Sequence, residues 1–143
     1  MKFVFSLLTM LIVVFACWNV AGNAAPAGEK GDRVRVVGVP HCQTTCKDCA
    51  AVCETTLAYC RKQGGQHVTA AHLNALRDCI ATCKLSADFM NRNSDAMKES
   101  CFLCKEICER CAASCDAFKD DPKMKECSDT CRKCAKTCEK MSG

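Results

Sequence analysis

The sequence predicts an all-α fold, an antiparallel four-helix bundle with a cysteine-lined core, and three observations predict it. Seventeen of the 143 residues are cysteine, beyond the ~8–10% that marks a cysteine framework in a short chain. From Cys42 onward they recur in steps of three, four and seven within four blocks. The blocks are Cys42, Cys46, Cys49, Cys53 and Cys60; Cys79 and Cys83; Cys101, Cys104, Cys108, Cys111 and Cys115; and Cys127, Cys131, Cys134 and Cys138. That is the period of one helical face, whereas a strand needs steps of two. The segments between blocks are short, which makes successive helices antiparallel neighbours.

Residues 1–24 read as a cleaved export signal: Met1 and Lys2, an uncharged apolar run from Phe3 to Ala16, then Gly22-Asn23-Ala24 before Ala25. The run is shorter than the ~20 apolar residues that span a bilayer, which disfavours a membrane anchor. The expected location is periplasmic or secreted. Val14-Phe15-Ala16-Cys17 loosely resembles a lipoprotein cleavage box, so lipidation of Cys17 is a minority alternative. No twin arginine precedes the run, which points to export of an unfolded chain and metal loading outside the cytoplasm. Residues 25–40, rich in proline and glycine, read as a flexible leader. Residues 41–143 form the bundle domain.

The first helix starts near His41 and ends at Gly64-Gly65; Thr69 can cap the second, Asn93 or Ser94 the third, and Asp121-Pro122 starts the fourth. The cysteine stripe continues through other residues. On the second helix it runs His72, Leu76, Cys79, Cys83, Ser86, Met90; on the third, Met97 precedes Cys101 and Phe118 follows Cys115; on the fourth, Met124 and Met141 bracket the cysteines. Antiparallel packing gathers His41, Cys42, Met90, Met97 and Met141 at one end, and Cys60, His72, Phe118 and Met124 at the other. On the fourth helix only cysteines, Ala135 and two methionines are left to face inward. After residue 25 the aromatics are Tyr59, Phe89, Phe102 and Phe118 alone, so an aromatic core is excluded. A core of small thiols is thinly packed unless something heavier occupies the axis.

Charge adds an exclusion. The 20 basic and 16 acidic residues are interspersed, which is no nucleic-acid footprint. Catalytic triads, paired-carboxylate sites and phosphate loops do not stand out, and the chain reads as a binding protein, not an enzyme.

Three uses of the thiols compete. Export and the even 16 cysteines left after the signal favour a disulfide-stabilised helical scaffold, but bridges within one helical face strain both bond and backbone. Redox chemistry uses Cys-x-x-Cys at a helix start in a βαβ setting, and here those pairs sit inside longer stripes. Metal binding fits better, because soft thiolates and thioethers select Cu(I), with Zn(II) as competitor. Register places four cysteines together in two layers, Cys46, Cys83, Cys104, Cys134 and Cys49, Cys79, Cys108, Cys131, which zinc could occupy. Elsewhere Leu76, His72, Ser86 or Thr56 interrupts the layers and leaves two or three thiols, suiting low-coordinate Cu(I). Monovalent ions in number close to that of the thiolates also bring the core near neutrality.

The segments CKDCAAVC, CFLCKEICERCAASC and CSDTCRKCAKTCEKM, on separate helices, resemble the bacterial four-helix-bundle copper-storage proteins over about residues 41–141. The resemblance implies a bundle whose core holds many Cu(I) ions per chain, either as a store or as a buffer against toxicity, with histidine or methionine helping at one open end. It makes all 16 cysteines from Cys42 to Cys138 ligand candidates. Met90, Met97, Met124 and Met141, at the ends of the stripe, are further candidates. An exported type of this family carries a twin-arginine signal that is missing here, and the methionines here avoid the first helix. The resemblance permits a homo-oligomer and calls for a copper donor or acceptor. His41 and His67 stay outside the ligand set; His72 reads first as a hydrogen-bonded core residue and second as a ligand. Tyr59 receives no role.

Overall fold

A computed structural model describes residues 38–143; the expected export signal, Cys17 and the expected leader up to residue 37 lie outside the described residues. Four helices follow one another, α1 Val39–Gln63, α2 Ala70–Asn91, α3 Met97–Asp116 and α4 Pro122–Ser142, with a 3-10 turn at Gly65–Val68. Each helix contacts its neighbours in sequence, and α4 closes the ring on α1. Gln43 on α1 donates to the Ala87 carbonyl near the end of α2, and Ser86 on α2 to the Ser100 carbonyl near the start of α3. Cys42 pairs with Cys138, and Cys53 with Cys127. Rising numbers on one helix meet falling numbers on the next, as an up-down-up-down bundle requires.

The helix ends follow local chemistry. Val39 and Pro40, read from sequence as the end of the leader, open α1, and Val39 is buried. Proline is suited to a first helical turn, and Gly38, at φ 107°, supplies the left-handed turn that leads into it. Gly64, at φ 71°, ends α1 and donates its amide to the Cys60 carbonyl. Thr69 precedes α2 without a side-chain cap. The expected cap of the third helix is displaced: α3 begins at Met97, behind Ala96. Asn93 is left-handed at φ 49°, and the Ser94 carbonyl and hydroxyl accept the Met97 and Ala96 amides. A turn is therefore completed before the next helix can start.

Asp121 caps α4 as expected, accepting the Lys123 and Met124 amides at 2.8 and 3.3 Å. Its Oδ2 also accepts from Tyr59 Oη at 2.9 Å and from His67 Nε2 at 2.9 Å. Burial works to raise its carboxyl, and the His67, Tyr59 and backbone hydrogen bonds outweigh it, holding the group below the usual carboxylate range. Stability from these contacts is thus present above the unfolded carboxylate pKa and lost as pH falls through the lower folded value. Asp121→Ala should cost about 1 kcal/mol for the cap alone, and more because Tyr59 and His67 lose their acceptor. Urea unfolding near neutral pH and again in acid should show the penalty shrinking in acid; an equal penalty at both would contradict this role.

The core is what the stripe implies. All 16 cysteines from Cys42 to Cys138 are buried, and the largest fully buried side chains are Leu76, Met90, Met124 and Thr56. Tyr59 and Phe118 pack at the periphery, and Phe102 is 58% exposed. Across the α3–α4 hairpin Arg132 grips Asp116, and within α4 it donates to the Ser128 hydroxyl. That guanidinium, aided by the Ser128 hydroxyl, holds the Asp116 carboxyl below its usual range.

Candidate metal centre

The inward thiols form a continuous column. All but Cys60 and Cys115 have Sγ atoms that fall into five compact groups, each with all members within 4.8 Å of one another. From the start of α1 these are Cys42, Cys101, Cys138; then Cys46, Cys104, Cys134, Cys138; then Cys49, Cys83, Cys108, Cys134; then Cys49, Cys53, Cys79, Cys131; then Cys53, Cys111, Cys127, Cys131. Each group shares a residue with the next: Cys138, then Cys134, then Cys49, then Cys53 together with Cys131. A side chain at each junction serves two groups, which is the geometry of bridging thiolates.

The two expected layers are present as neighbours but are staggered. Cys83 lies 3.6 Å from Cys104 and 3.9 Å from Cys134, which is 3.7 Å from Cys46. Cys79 lies 3.9, 3.7 and 3.8 Å from Cys49, Cys108 and Cys131. The compact groups mix levels because each helix rises about 1.5 Å per residue, so the thiols wind along the axis instead of lying in planes. The cross-axis α2–α4 pairs Cys79–Cys131 and Cys83–Cys134 meet sulfur to sulfur. Hydrogen-bonded thiol pairs are 3.5 to 4.0 Å apart, against about 2.05 Å for a disulfide, and all 16 are free.

Buried thiols this close share protons. Donation from Cys108 holds Cys104 below its ordinary pKa, while Cys104 in turn raises Cys108. Each such hydrogen bond favours the charged form of the accepting sulfur over that of the donor. A soft cation that bonds to such a pair displaces the thiol protons as it does so.

The two ends differ. At the start of α1, Met90 and Met141 are buried beside the Cys42 group and Met97 is partly buried against the core; the Met141 Sδ lies near the Gly38 backbone. His41 is exposed. At the other end Met124 is fully buried, and the His67 ring stacks on Phe118, centroids 4.3 Å apart, with Tyr59 edge-on at 5.9 Å. Cys115 faces Cys111 and Cys127, and Cys60 faces His72. Sequence reasoning had no signal for the Tyr59–His67–Asp121 cluster, because it joins three separate elements, nor for Ser114 beside His72.

The sequence model of a family described as copper storage protein (Csp) matches residues 37–143. The chain belongs to the copper storage protein family. Copper is thus the cargo of the family, and the column offers it several groups of soft thiol ligands. Among solved structures, this Csp is similar to the Nmul_A1745 protein of Nitrosospira multiformis, with 36% identity, 73% of this chain and 94% of that one covered, and a TM-score of 0.69. It is also similar to the Cu(I)-bound copper storage protein BsCsp3, at 30% identity over 74% of this chain and 99% of that one, TM-score 0.69. Apo-Csp3 of Bacillus subtilis shows 31% identity over 73% and 98% of the two chains, TM-score 0.66. An uncharacterised cysteine-rich protein of that organism, YhjQ, is 34% identical over 52% of this chain and 68% of its own length.

Proposed function

We propose that the chain stores Cu(I) through the 16 core cysteines, with Met90, Met97 and Met141 admitting the ion at the end where α1 starts and Met124 buried at the other. The observation that carries this is the unbroken overlap of the five thiol groups. An ion at one group can pass to the next without leaving sulfur, because the shared thiolate is bonded to the second site before the first releases it. Uptake at the methionine end is supported by the three-thiol group Cys42, Cys101, Cys138 there, and by the Phe118, His67 and Tyr59 rings that cover the opposite end. Soft thioethers hand Cu(I) to thiolates while discriminating against harder ions. The role is sequestration without catalysis, outside the cytoplasm as the signal-like segment at 1–24 suggests, either supplying copper to other proteins or limiting its toxicity.

The test is an anaerobic titration of the reduced chain with Cu(I) against a competing chelator, with Zn(II) in parallel. Tight uptake of about ten or more Cu(I) per chain is expected from a soft-ligand column; saturation at one or two would point to a chaperone-like or zinc site instead. Replacing Cys104 and Cys108 by Ser should remove a few ions and leave the remainder, since the other groups persist. Complete loss of binding in that variant would contradict a distributed store.

A further inference from the structure

A cavity of about 320 Å³ opens on the side of the bundle where α3 turns into α4, and its walls include Cys115 and Phe118. Cys115 is where this cavity meets the thiol column. It lies outside the five compact groups, yet faces Cys111 and Cys127 of the last one, and it is only 1% exposed. Another cavity, beside Ala75 and Ile107 between α2 and α3, has no thiol in its walls. The charged side chains around the first cavity are mostly paired with one another: Arg132 holds Asp116, and Lys125 holds Asp129 at 2.6 Å. Lys119, exposed in the turn, also lines it and has no ion-pair partner among the described residues. Three cations against two carboxylates leave the opening with one net positive charge. The volume lies at the small end of the ~300–1,000 Å³ usual for small-molecule sites, so a small solute can approach a sulfur that a folded partner's surface cannot touch.

We propose that this cavity is a side port for release, at which a small anionic thiol docks near Lys119 and takes Cu(I) from the column through Cys115. The inference rests on the copper storage reading. Only a soft donor competes with thiolates for Cu(I), and a carboxylate-bearing thiol matches both the metal and the charge of the opening. In the exchange the incoming thiol gives its proton to the buffer and its sulfur bonds to the ion held at Cys115. The bond from the ion to Cys115 Sγ then breaks, the Cys115 thiolate takes up a proton, and the ion leaves with the small thiolate. One copper–sulfur bond forms for the one that breaks, and no electron changes hands. Cys111 and Cys127 then refill Cys115 from the fifth group, so ions that enter at the methionine end can leave at the side of the other end.

The experiment loads the full reduced chain with Cu(I) without oxygen, adds excess mercaptosuccinate, 2-mercaptoethanol or cysteamine, and follows the copper left on the chain after rapid desalting. The probes are anionic, neutral and cationic small thiols, and each is judged by the ratio of variant to wild-type rate, which cancels their differing reactivity. Lys119→Glu should slow release by mercaptosuccinate about 3- to 10-fold, as a charge reversal at the mouth of a cleft does for a charged solute. The same variant should leave 2-mercaptoethanol unchanged and speed cysteamine. Lys47→Glu, an equal change of charge at an exposed site on α1, should alter none of them. Cys115→Ser should slow all three. Equal effects of Lys119→Glu and Lys47→Glu, or wild-type release from Cys115→Ser, overturn the port and leave the store standing. A chain that takes up no copper at all defeats both readings. Should Cys115→Ser lose its helical circular dichroism, the two lysine variants decide.

Discussion

Copper loading is expected to raise the melting temperature of the bundle by more than about 20 °C. A ligand bound only by the folded chain stabilises by roughly 4 kcal/mol per site when present at ~1,000 times its dissociation constant, and a domain of this size gains about 4–8 °C per kcal/mol. Several sites acting together exceed the figure easily. The metal-free core makes the effect large, because its interior is mostly thiol and alanine, with Leu76, Met90, Met124 and Thr56 the largest fully buried side chains. Small side chains bury little apolar area, and neighbouring thiols compete for protons instead of packing as hydrocarbon. Calorimetric melts of the reduced chain with and without Cu(I), both without oxygen, measure this directly. Equal melting temperatures would mean that the column does not hold the ions.

A second large effect is expected at Cys79. Its Sγ lies within 4 Å of five others, at 3.9 Å from Cys49, 3.7 Å from Cys53, 4.0 Å from Cys83, 3.7 Å from Cys108 and 3.8 Å from Cys131. It is the sulfur on which all four helices converge. Cys79 is a member of one compact group only, but it also touches Cys83 and Cys108 of the adjacent one, so Cys79→Ser should lose about two or more Cu(I), because a hydroxyl is a poor soft ligand. Cys60→Ser, with one sulfur contact to a histidine, should lose about one. The change from sulfur to oxygen is nearly isosteric, so helicity should survive in both. Equal losses for the two variants would show that bridging does not organise the column.

Reading from residues to fold, the cysteine stripe was nearly sufficient. Steps of three and four admit a helix and exclude a strand, and four stripes built mainly of cysteine must face one another. Asp121-Pro122 and Gly64-Gly65 announced their helix ends because each acts through its own backbone. The start of α3 was misplaced by a few residues because Asn93 adopts a left-handed conformation, and a turn formed by Ser94 intervenes, which spacing alone does not reveal. The leader was drawn through Val39 and Pro40 for a similar reason: proline reads equally as a loop residue and as the first turn of a helix, and only burial of Val39 against the bundle decides.

The site divides in the same way. Sequence by itself determined the class of ligand, the number of inward thiols, the soft metal they select and the two ends at which methionine and histidine collect, because helical periodicity assigns faces and antiparallel order assigns ends. Only the tertiary structure decided which sulfurs share a site. The helices meet with an axial offset, so the flat layers of four become staggered groups joined through Cys138, Cys134, Cys49, Cys53 and Cys131. It also decided that Cys60 faces His72 and that Asp121 gathers Tyr59 and His67. Those contacts depend on distances between residues far apart in the chain, which are set by how the helices slide and rotate against one another rather than by any local pattern.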